Sequence, residues 1–289
     1  MSLSPRSVRR VAPMAFALAL GLAAVGARAG GTPVVVAPNL ADTWQWQLLV
    51  NGSHPLNTSY AATVYDVDLE ETPRSAITAL KNQGRYVVCY FSAGSYEPYR
   101  SDADEFQESD LGNPLDPPFG DERWIDIRST NVKRIMRSRL DRAAAKGCHA
   151  VEPDNVDAWD NDNGLAITRR DQLRYNKYIA AQSHLRGLAV GLKNDLAQIP
   201  ALVDHFDFAV NEQCFQYREC DRLQPFIDAG KPVFNAEYAR KYRENLDGAR
   251  DRMCESAQAR GIHSLVLPIL LNDSFRCSCD GGGEKNCPG

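Results

Sequence analysis

The most regular feature of the chain is a helix-like segment that ends in glycine and is followed at once by an apolar run. This pattern occurs five times, as ALKNQG-RYVVCYF, RAAAKG-CHAVEP, SHLRG-LAVGL, FIDAG-KPVFNAE and AQARG-IHSLVLPIL. Glycine ends helices because it adopts the left-handed conformation without a Cβ clash. In the second unit, one helical stripe is formed by Val132, Ile135, Met136, Leu140, Ala143 and Ala144. Thr168 and Asp171 have the spacing of a capping box, which predicts the start of another helix.

The apolar runs are continuous rather than alternating, which is typical of strands buried on both faces of a parallel sheet. Three more runs bring the candidate strands to eight: TWQWQLLV from Thr43, ATVYDVDL from Ala62 and FDFAVNEQCF from Phe206. Eight strands alternating with helices over about 250 residues predict an α/β fold, a single-domain (β/α)8 or TIM barrel. An open doubly wound sheet is the alternative. It favours a glycine-rich phosphate loop after the first strand, and this sequence has none.

The two ends of the chain differ from this repeating region. Arg6, Arg9 and Arg10 precede a short apolar run, AFALALGLAAVG, and an A-x-A sequence at residues 27–29, as in a secretory signal peptide. The apolar run is too short to span a bilayer. We therefore predict a secreted protein, extracellular or periplasmic. Its expected organisation is a signal peptide at 1–29, an N-terminal leader at 30–42, a barrel domain at 43–272 and a Cys/Gly-rich tail at 273–289.

Charge narrows the choice of partners. The chain has 33 basic and 37 acidic residues; without the four arginines of the signal peptide, 29 basic residues remain and the formal charge is −8. This charge disfavours nucleic acid and anionic membranes as partners and is compatible with a cationic substrate. We expect a monomer that does not contact the membrane after signal cleavage.

All eight cysteines follow the predicted signal peptide, and an exported protein can keep disulfides. Eight cysteines allow 105 pairings, so the sequence does not determine the connectivity. Cys214 and Cys220 flank a short polar segment and are the best candidates for a local bridge. Zinc bound by the CSC sequence together with Cys287 is the competing interpretation, and the absence of a nearby histidine disfavours it.

Carboxylates follow several of the predicted strands at the point where each strand ends. In a (β/α)8 barrel the active site forms at these strand ends. The residues placed there by the sequence are Asp66, Asp68, Asp154, Asp157, Lys193, Asn194, Asp195, Asn211, Glu212, Asn235 and Glu237. A ring of acids with amides, a lysine and aromatic side chains is typical of a sugar-cleaving site, in which two carboxylates perform the chemistry.

Each of these acids also has a purely structural interpretation, since Asp and Asn at strand ends often cap the next helix or form turns. For Asp157 and Asp195 we favour that interpretation. Lys193 could neutralise an acid or lower the pKa of a nearby carboxylate. Several aromatic residues are as compatible with the core as with a sugar platform: Trp44, Trp46, Tyr65, Tyr90 and Trp159.

Other chemistries have less support. The five histidines are scattered without metal-ligand spacing, and there is neither a G-x-S-x-G elbow nor a phosphate-binding loop. We expect no metal and no cofactor.

The ordered set WQWQL, YDVDLEET, VVCYFSAGSYEPYR, VEPDNVDAW, GLKND, VNEQCFQY and PVFNAEY resembles glycoside hydrolase family 114, the endo-α-1,4-polygalactosaminidase family related to spherulin 4. The resemblance covers residues 44–270 and leaves the tail after Phe275 outside. It implies a (β/α)8 hydrolase acting on α-1,4-linked galactosamine polymers. The two carboxylates proposed as catalytic in that family correspond to Asp154 and Glu212.

The sequence therefore suggests a secreted endo-glycosidase that cleaves a cationic amino-sugar polysaccharide. We expect Asp154 to act as the nucleophile and Glu212 as the acid. The expected substrate-binding residues are Asp66, Asp68, Tyr90, Lys193, Asn194 and Glu237. Two alternatives are a glycosidase of the same fold acting on another sugar, and a non-catalytic carbohydrate-binding or coat protein that uses the barrel as a scaffold.

Overall fold

The computed structural model describes residues 33–280 and Cys287, so the predicted signal peptide lies outside the described residues. The described chain forms a nine-stranded and a three-stranded sheet. The strands are β1 (Trp44–Gln47), β2 (Val64–Asp68), β3 (Tyr86–Ser92), β4 (Ser95–Tyr96), β5 (Leu111–Pro114), β6 (Arg123–Ile125), β7 (Ala150–Asp154), β8 (Ala189–Lys193), β9 (Phe208–Glu212), β10 (Val233–Glu237), β11 (Ile262–Val266) and β12 (Cys277–Ser278).

Eight parallel strands form the barrel, in the order β1-β2-β3-β7-β8-β9-β10-β11. These strands are the eight apolar runs predicted from the sequence. Their spatial order follows the chain order, without the reversal that defines a doubly wound sheet. The prediction of a (β/α)8 barrel is confirmed.

Helices follow most of these strands: α1 (Arg74–Asn82), α2 (Thr130–Lys146), α3 (Arg169–His184), α4 (Ile199–Leu202), α5 (Cys214–Tyr217), α6 (Gln224–Asp228), α7 (Arg240–Arg243) and α8 (Ala249–Arg260). The capping box of Thr168 and Asp171 opens α3 as predicted. The five glycines of the repeated pattern all have positive φ. None of the helices in the described part of the chain combines the length and hydropathy needed to cross a membrane.

The core has two layers, because both faces of the barrel sheet are buried. Inside the barrel, Trp44 and Trp46 pack with Phe208, Phe234 and small residues of neighbouring strands. Outside it, Tyr65 and Trp159 pack in the layer between the sheet and the helices. Of the five aromatic residues left open by the sequence, only Trp46 and Tyr90 reach the cavity described below.

A segment that the sequence did not reveal lies between β3 and α2. This insert (residues 93–129) contains the small antiparallel sheet β4-β6-β5. Its strands are two to four residues long, and the insert packs over the carboxyl end of the barrel, where its residues form one wall of the cavity.

The C-terminal segment bridges the first and last barrel strands. β12 pairs antiparallel with β11, and the guanidinium of Arg276 donates to the Trp44 carbonyl at 3.0 Å and to the Gln45 side chain at 2.5 Å. The backbone N–H groups of Leu48 and Leu49 donate to the Leu271 carbonyl. Residues 271–278 therefore complete the seam of the barrel.

Four disulfides use all eight cysteines: Cys89–Cys148, Cys214–Cys220, Cys254–Cys279 and Cys277–Cys287. The predicted local bridge between Cys214 and Cys220 is confirmed. The zinc interpretation of the CSC sequence is wrong, because its thiols are consumed by two disulfides, one of which ties the tail to α8.

His263 on β11 links both ends of the described chain. One ring nitrogen lies 2.8 Å from an Asp280 oxygen and the other 2.7 Å from the Leu40 carbonyl, so both contacts are hydrogen bonds only when the ring is protonated. Burial alone would lower the pKa of His263, but the hydrogen bond and charge of Asp280 outweigh it and raise the pKa.

We expect this histidine to make stability depend on pH. Because its folded-state pKa is raised, its contribution is complete below the unfolded pKa of about 6.5 and is lost as pH rises through the folded value. The contribution should be on the order of 1–3 kcal/mol, as for hydrogen bonds to charged groups. Denaturant unfolding of wild type and His263→Gln should therefore differ most below about pH 6.5. Asp280→Asn should reduce the same pH dependence, and an unchanged gap up to about pH 9 would refute this role.

Candidate active site

A cavity of about 850 Å³ lies at the carboxyl end of the barrel. Residues at or after the ends of β1, β2, β7, β8, β9 and β11 contribute to its wall, together with the insert. Six residues predicted for the site line this cavity: Asp68, Tyr90, Asp154, Lys193, Asn194 and Glu212. Two others, Asp66 and Glu237, lie below it in the buried interior.

Lys193 is the centre of the site. Its Nζ lies 2.9 Å from Asp154 Oδ1 and 3.1 Å from Glu212 Oε2. The lysine side chain is 2% exposed, whereas the Asp154 and Glu212 side chains are 18% and 26% exposed. Burial alone would lower the pKa of Lys193, but the surrounding carboxylates raise it well above its ordinary value. The ammonium is therefore charged and holds the two carboxylates on the floor of the cavity.

The local backbone explains how three adjacent strands present these groups. Asp154, Lys193 and Glu212 are the last residues of β7, β8 and β9. Each is followed by a residue with positive φ: Asn155 at 58°, Asn194 at 47° and Gln213 at 62°. Asparagine enters the left-handed region more readily than most residues. The chain thus turns sharply after each functional side chain.

Glu212 is stabilised as an anion. It accepts hydrogen bonds from the Tyr238 hydroxyl at 2.5 Å and from the Asn194 amide at 3.2 Å, in addition to its ion pair with Lys193. Burial opposes ionisation, but the charge of Lys193 and these hydrogen bonds lower the pKa of Glu212. Tyr238 is a site residue that the sequence analysis missed, although it directly follows the predicted Glu237.

The separation of the two carboxylates follows from their shared partner. Because Lys193 Nζ is 2.9 Å from one oxygen and 3.1 Å from the other, these two oxygens are at most about 6 Å apart. Retaining glycosidases place their carboxyl groups about 5–5.5 Å apart, and inverting enzymes about 6.5–9.5 Å. The bound on these two oxygens accommodates the shorter class.

A second pair of carboxyl groups lies beneath Lys193. Glu152 is fully buried, accepts a hydrogen bond from Trp46 Nε1 at 3.1 Å and lies 3.6 Å from Lys193 Nζ. Burial raises the pKa of its neighbour Asp66 to about 7, and burial together with the Asp66 charge raises the pKa of Glu152 well above its ordinary value. Asp66, expected to contact substrate, is buried and does not line the cavity.

Glu237 is also below the cavity. Its carboxylate accepts hydrogen bonds from the Phe215 N–H at 2.8 Å and from Asn235 at 3.3 Å, and burial raises its pKa to about 7. Asp68 lines the cavity but is paired with Arg100 at 2.7 Å. Glu237 and Asp68 therefore both have partners within the protein when no ligand is bound.

The insert supplies site residues that were not predicted. Glu97 and Glu122 line the cavity, and the Tyr99 hydroxyl lies 3.0 Å from one carboxylate and 3.3 Å from the other. Burial and the Glu97 charge raise the pKa of Glu122 to about 7. Phe119 adds an exposed aromatic ring to the same wall.

We favoured a structural role for Asp157 and Asp195, as helix caps or in turns, and neither side chain caps the helix that follows it. Asp195 accepts hydrogen bonds from Trp159 Nε1 and Asn176, both at 2.9 Å. Its role is therefore structural, but it acts through these two hydrogen bonds rather than as a helix cap. Asp157 makes no side-chain cap hydrogen bond and lines the cavity. Burial, and next the Asp154 charge, raise its pKa to about 7.

Gly94 at the start of the insert packs directly on the chain that follows Asp154. A Cβ at this position would lie 1.6 Å from the Asn155 carbonyl oxygen, and the Gly94 N–H donates to the Asp154 carbonyl at 3.1 Å. Gly94→Ala should therefore move Asp154 and lower turnover about 100-fold, as small misplacements of reacting groups do. Steady-state kinetics should show this loss, whereas Gly52→Ala, which meets no atom within 4 Å, should not. Wild-type turnover in Gly94→Ala would show that the strand end can shift freely.

Comparison with known proteins agrees with this architecture. The model of glycoside hydrolase family 114 matches residues 26–284, so the expectation that the tail lies outside the resemblance is wrong. Ega3 of Aspergillus fumigatus, solved in complex with galactosamine, is 41% identical, with a TM-score of 0.76 over 83% of this chain and 96% of Ega3.

Two more distant relatives share the fold or the sequence pattern. The glycoside hydrolase domain of PelA from Pseudomonas aeruginosa superposes with a TM-score of 0.64 at 16% identity, over 80% of this chain and 96% of that domain. An uncharacterized protein of Deinococcus radiodurans is 24% identical in an alignment 267 positions long, which covers 80% of this chain and 82% of the relative. From the family match over most of its length, this chain is a glycoside hydrolase and belongs to family 114.

Proposed function

We propose that this glycoside hydrolase is an exported enzyme that cleaves internal α-1,4 linkages of a galactosamine polymer, with Asp154 and Glu212 as its catalytic carboxylates. The observation that carries the proposal is the pair of cavity-lining carboxylates held within about 6 Å of each other by Lys193. No metal or cofactor is part of this chemistry.

The bound of about 6 Å accommodates the separation of a retaining enzyme, and we propose a double displacement. One carboxylate attacks the anomeric carbon as the glycosidic C–O bond breaks, and the other carboxyl group gives its proton to the departing oxygen. Water then attacks the anomeric carbon as the second carboxylate takes one of its protons, and the bond between the sugar and the first carboxylate breaks. The product keeps the configuration of the substrate.

The charge of the cavity supports a cationic substrate. Its wall contains nine carboxylates and two basic residues, Arg100 and Lys193, both of which are already paired with carboxylates. The acids are Asp68, Glu71, Glu97, Asp116, Glu122, Asp154, Asp157, Asp162 and Glu212. Deacetylated amino sugars carry ammonium groups that such a wall attracts. The complex of the related Ega3 with galactosamine points to the same class of sugar.

Export is supported by the cysteines. Four disulfides persist in oxidising compartments and are rare in the cytosol. This agrees with the signal peptide predicted at residues 1–29.

The proposal is tested by the release of reducing ends from deacetylated α-1,4-galactosaminan, with Glu212→Gln as the inactive partner. Wild type alone should release them, and early products should be oligomers of mixed length, as expected for internal cleavage. If the enzyme cleaves another polysaccharide but not galactosaminan, its substrate is a different sugar polymer. Binding without cleavage of any polymer would favour the scaffold alternative.

Activated substrates assign the two roles. If Glu212 is the acid, as expected from the sequence, Glu212→Gln should still form the glycosyl-enzyme from an aryl galactosaminide, because that leaving group needs no proton, and Asp154→Asn should not. The opposite result would assign the nucleophilic attack to Glu212, a role that its lowered pKa favours.

A further inference from the structure

Asp157 is a carboxylate of the cavity without a cation of the protein beside it. Lys193 forms ion pairs with Asp154, Glu212 and Glu152, and none of the ion pairs between residues 33 and 280 includes Asp157. The other residues on its loop bond to the Asp157 carbonyl rather than to its carboxylate. Its side chain is therefore available to a ligand in the cavity.

The surroundings of Asp157 favour a positively charged ligand. Burial raises the pKa of Asp157 most; the negative charges of Asp154 and Glu212 raise it further, and the Lys193 charge only partly offsets them. The ammonium of Lys193 thus offsets the charge of this cluster of three cavity carboxylates only in part. A second cation bound at Asp157 would relieve the repulsion within the cluster, and the partial burial of the site would strengthen this attraction.

We propose that Asp157 binds the ammonium group of an amino-sugar unit next to the cleaved bond, and thereby sets the preference of the enzyme for the free amine over the acetamide. This inference rests on the proposed function, since it takes the substrate to be an amino-sugar polymer. An acetamide carries no charge and its nitrogen has one N–H. It would leave the negative charges of the cluster uncompensated, whereas an ammonium donates up to three hydrogen bonds.

Binding without turnover tests this role directly. In a Glu212→Gln background, we would measure by calorimetry the Kd of an α-1,4-galactosamine tetramer and of its fully N-acetylated form. Adding Asp157→Asn should weaken binding of the amine form about 10- to 100-fold, as expected for loss of a hydrogen bond to a charged group, and leave the acetylated form within about twofold. Asp160→Asn removes a charge from an exposed position of the same loop outside the cavity and should change neither Kd.

Each other outcome contradicts the inference. Equal loss of affinity for both tetramers would show that Asp157 shapes the cavity without recognising the amine. No loss of affinity for either would show that the ammonium binds elsewhere. Thermal unfolding of each variant separates these results from misfolding. The binding assay needs no hydrolysis. If Asp157 distinguishes the amine tetramer from the acetylated one in a protein that cleaves no galactosaminan, only the proposed function is refuted. Cleavage by wild type without discrimination by Asp157 would refute this inference alone.

Discussion

Asp154→Asn and Glu212→Gln should each lower turnover of a galactosamine polymer by about 10²–10⁴-fold, because each removes a carboxylate that attacks the sugar or transfers a proton. The amides keep the size of the side chains, and Lys193 keeps a carboxylate partner in either variant. We therefore expect the loss to appear in kcat, measured by reducing-end release, while the thermal midpoint stays close to that of wild type.

Asp160→Asn is the matched control for this pair, since it changes an exposed carboxylate outside the cavity to an amide. It should retain wild-type turnover. A variant of Asp154 or Glu212 with kcat within about threefold of wild type would remove that residue from the catalytic pair. Only a variant that keeps a wild-type thermal midpoint assigns a role, because loss of the folded state abolishes turnover whatever the carboxylate does.

Lys193→Met should have the second large effect, because it leaves Asp154 and Glu212 without their cation. Breaking a buried ion pair on one side destabilises proteins by about 3–5 kcal/mol. Without Lys193, burial would dominate at Glu212 and raise its folded-state pKa above the unfolded value. The penalty should therefore be complete at about pH 7.5 and shrink as pH falls and the carboxyl groups take up protons. Turnover should fall at least about 100-fold at neutral pH.

Urea unfolding of wild type and variant at about pH 5 and about pH 7.5 measures this effect. Lys231→Met is the control: its Nζ donates to the Val203 and Phe206 carbonyls, so its loss leaves no carboxylate unpaired. The penalty of that control should not depend on pH. A Lys193→Met penalty equally independent of pH would show that the lysine contributes packing on Trp46, whose ring lies 4.9 Å from Nζ, rather than charge.

The barrel was predictable from sequence because its strands are buried on both faces and its helices end at glycine. The insert was not, because β4, β5 and β6 are only two to four residues long and carry no periodic pattern that could distinguish them from loops. Its cavity-lining acids, Glu97 and Glu122, become visible only when the small sheet packs over the barrel.

Within the site, the sequence identified which residues face inward but not their depth. Asp66 and Asp68, both on β2, point to the interior of the barrel because side chains along a strand alternate with period two. The register aligns Asp66 with Val88 and, through β3, with Ala150, four residues before Asp154 on β7. Depth depends on this stagger between strands, which a single sequence does not encode. The same period of two places Glu152 beside Asp154, and applying it to β7 would have revealed the buried pair.

The seam of the barrel has a consequence for the order in which the protein becomes active. Trp44 and Arg276, which meet there, are 232 residues apart in the chain. A nascent chain therefore cannot close the barrel at this seam until residue 276 has been made. Contacts of such long range also form slowly. Two disulfides tie down the segment that closes the seam, and such bonds form and persist in oxidising compartments. Under the proposed export, the chain would therefore cross the membrane as an unfinished barrel and assemble its cavity on the far side.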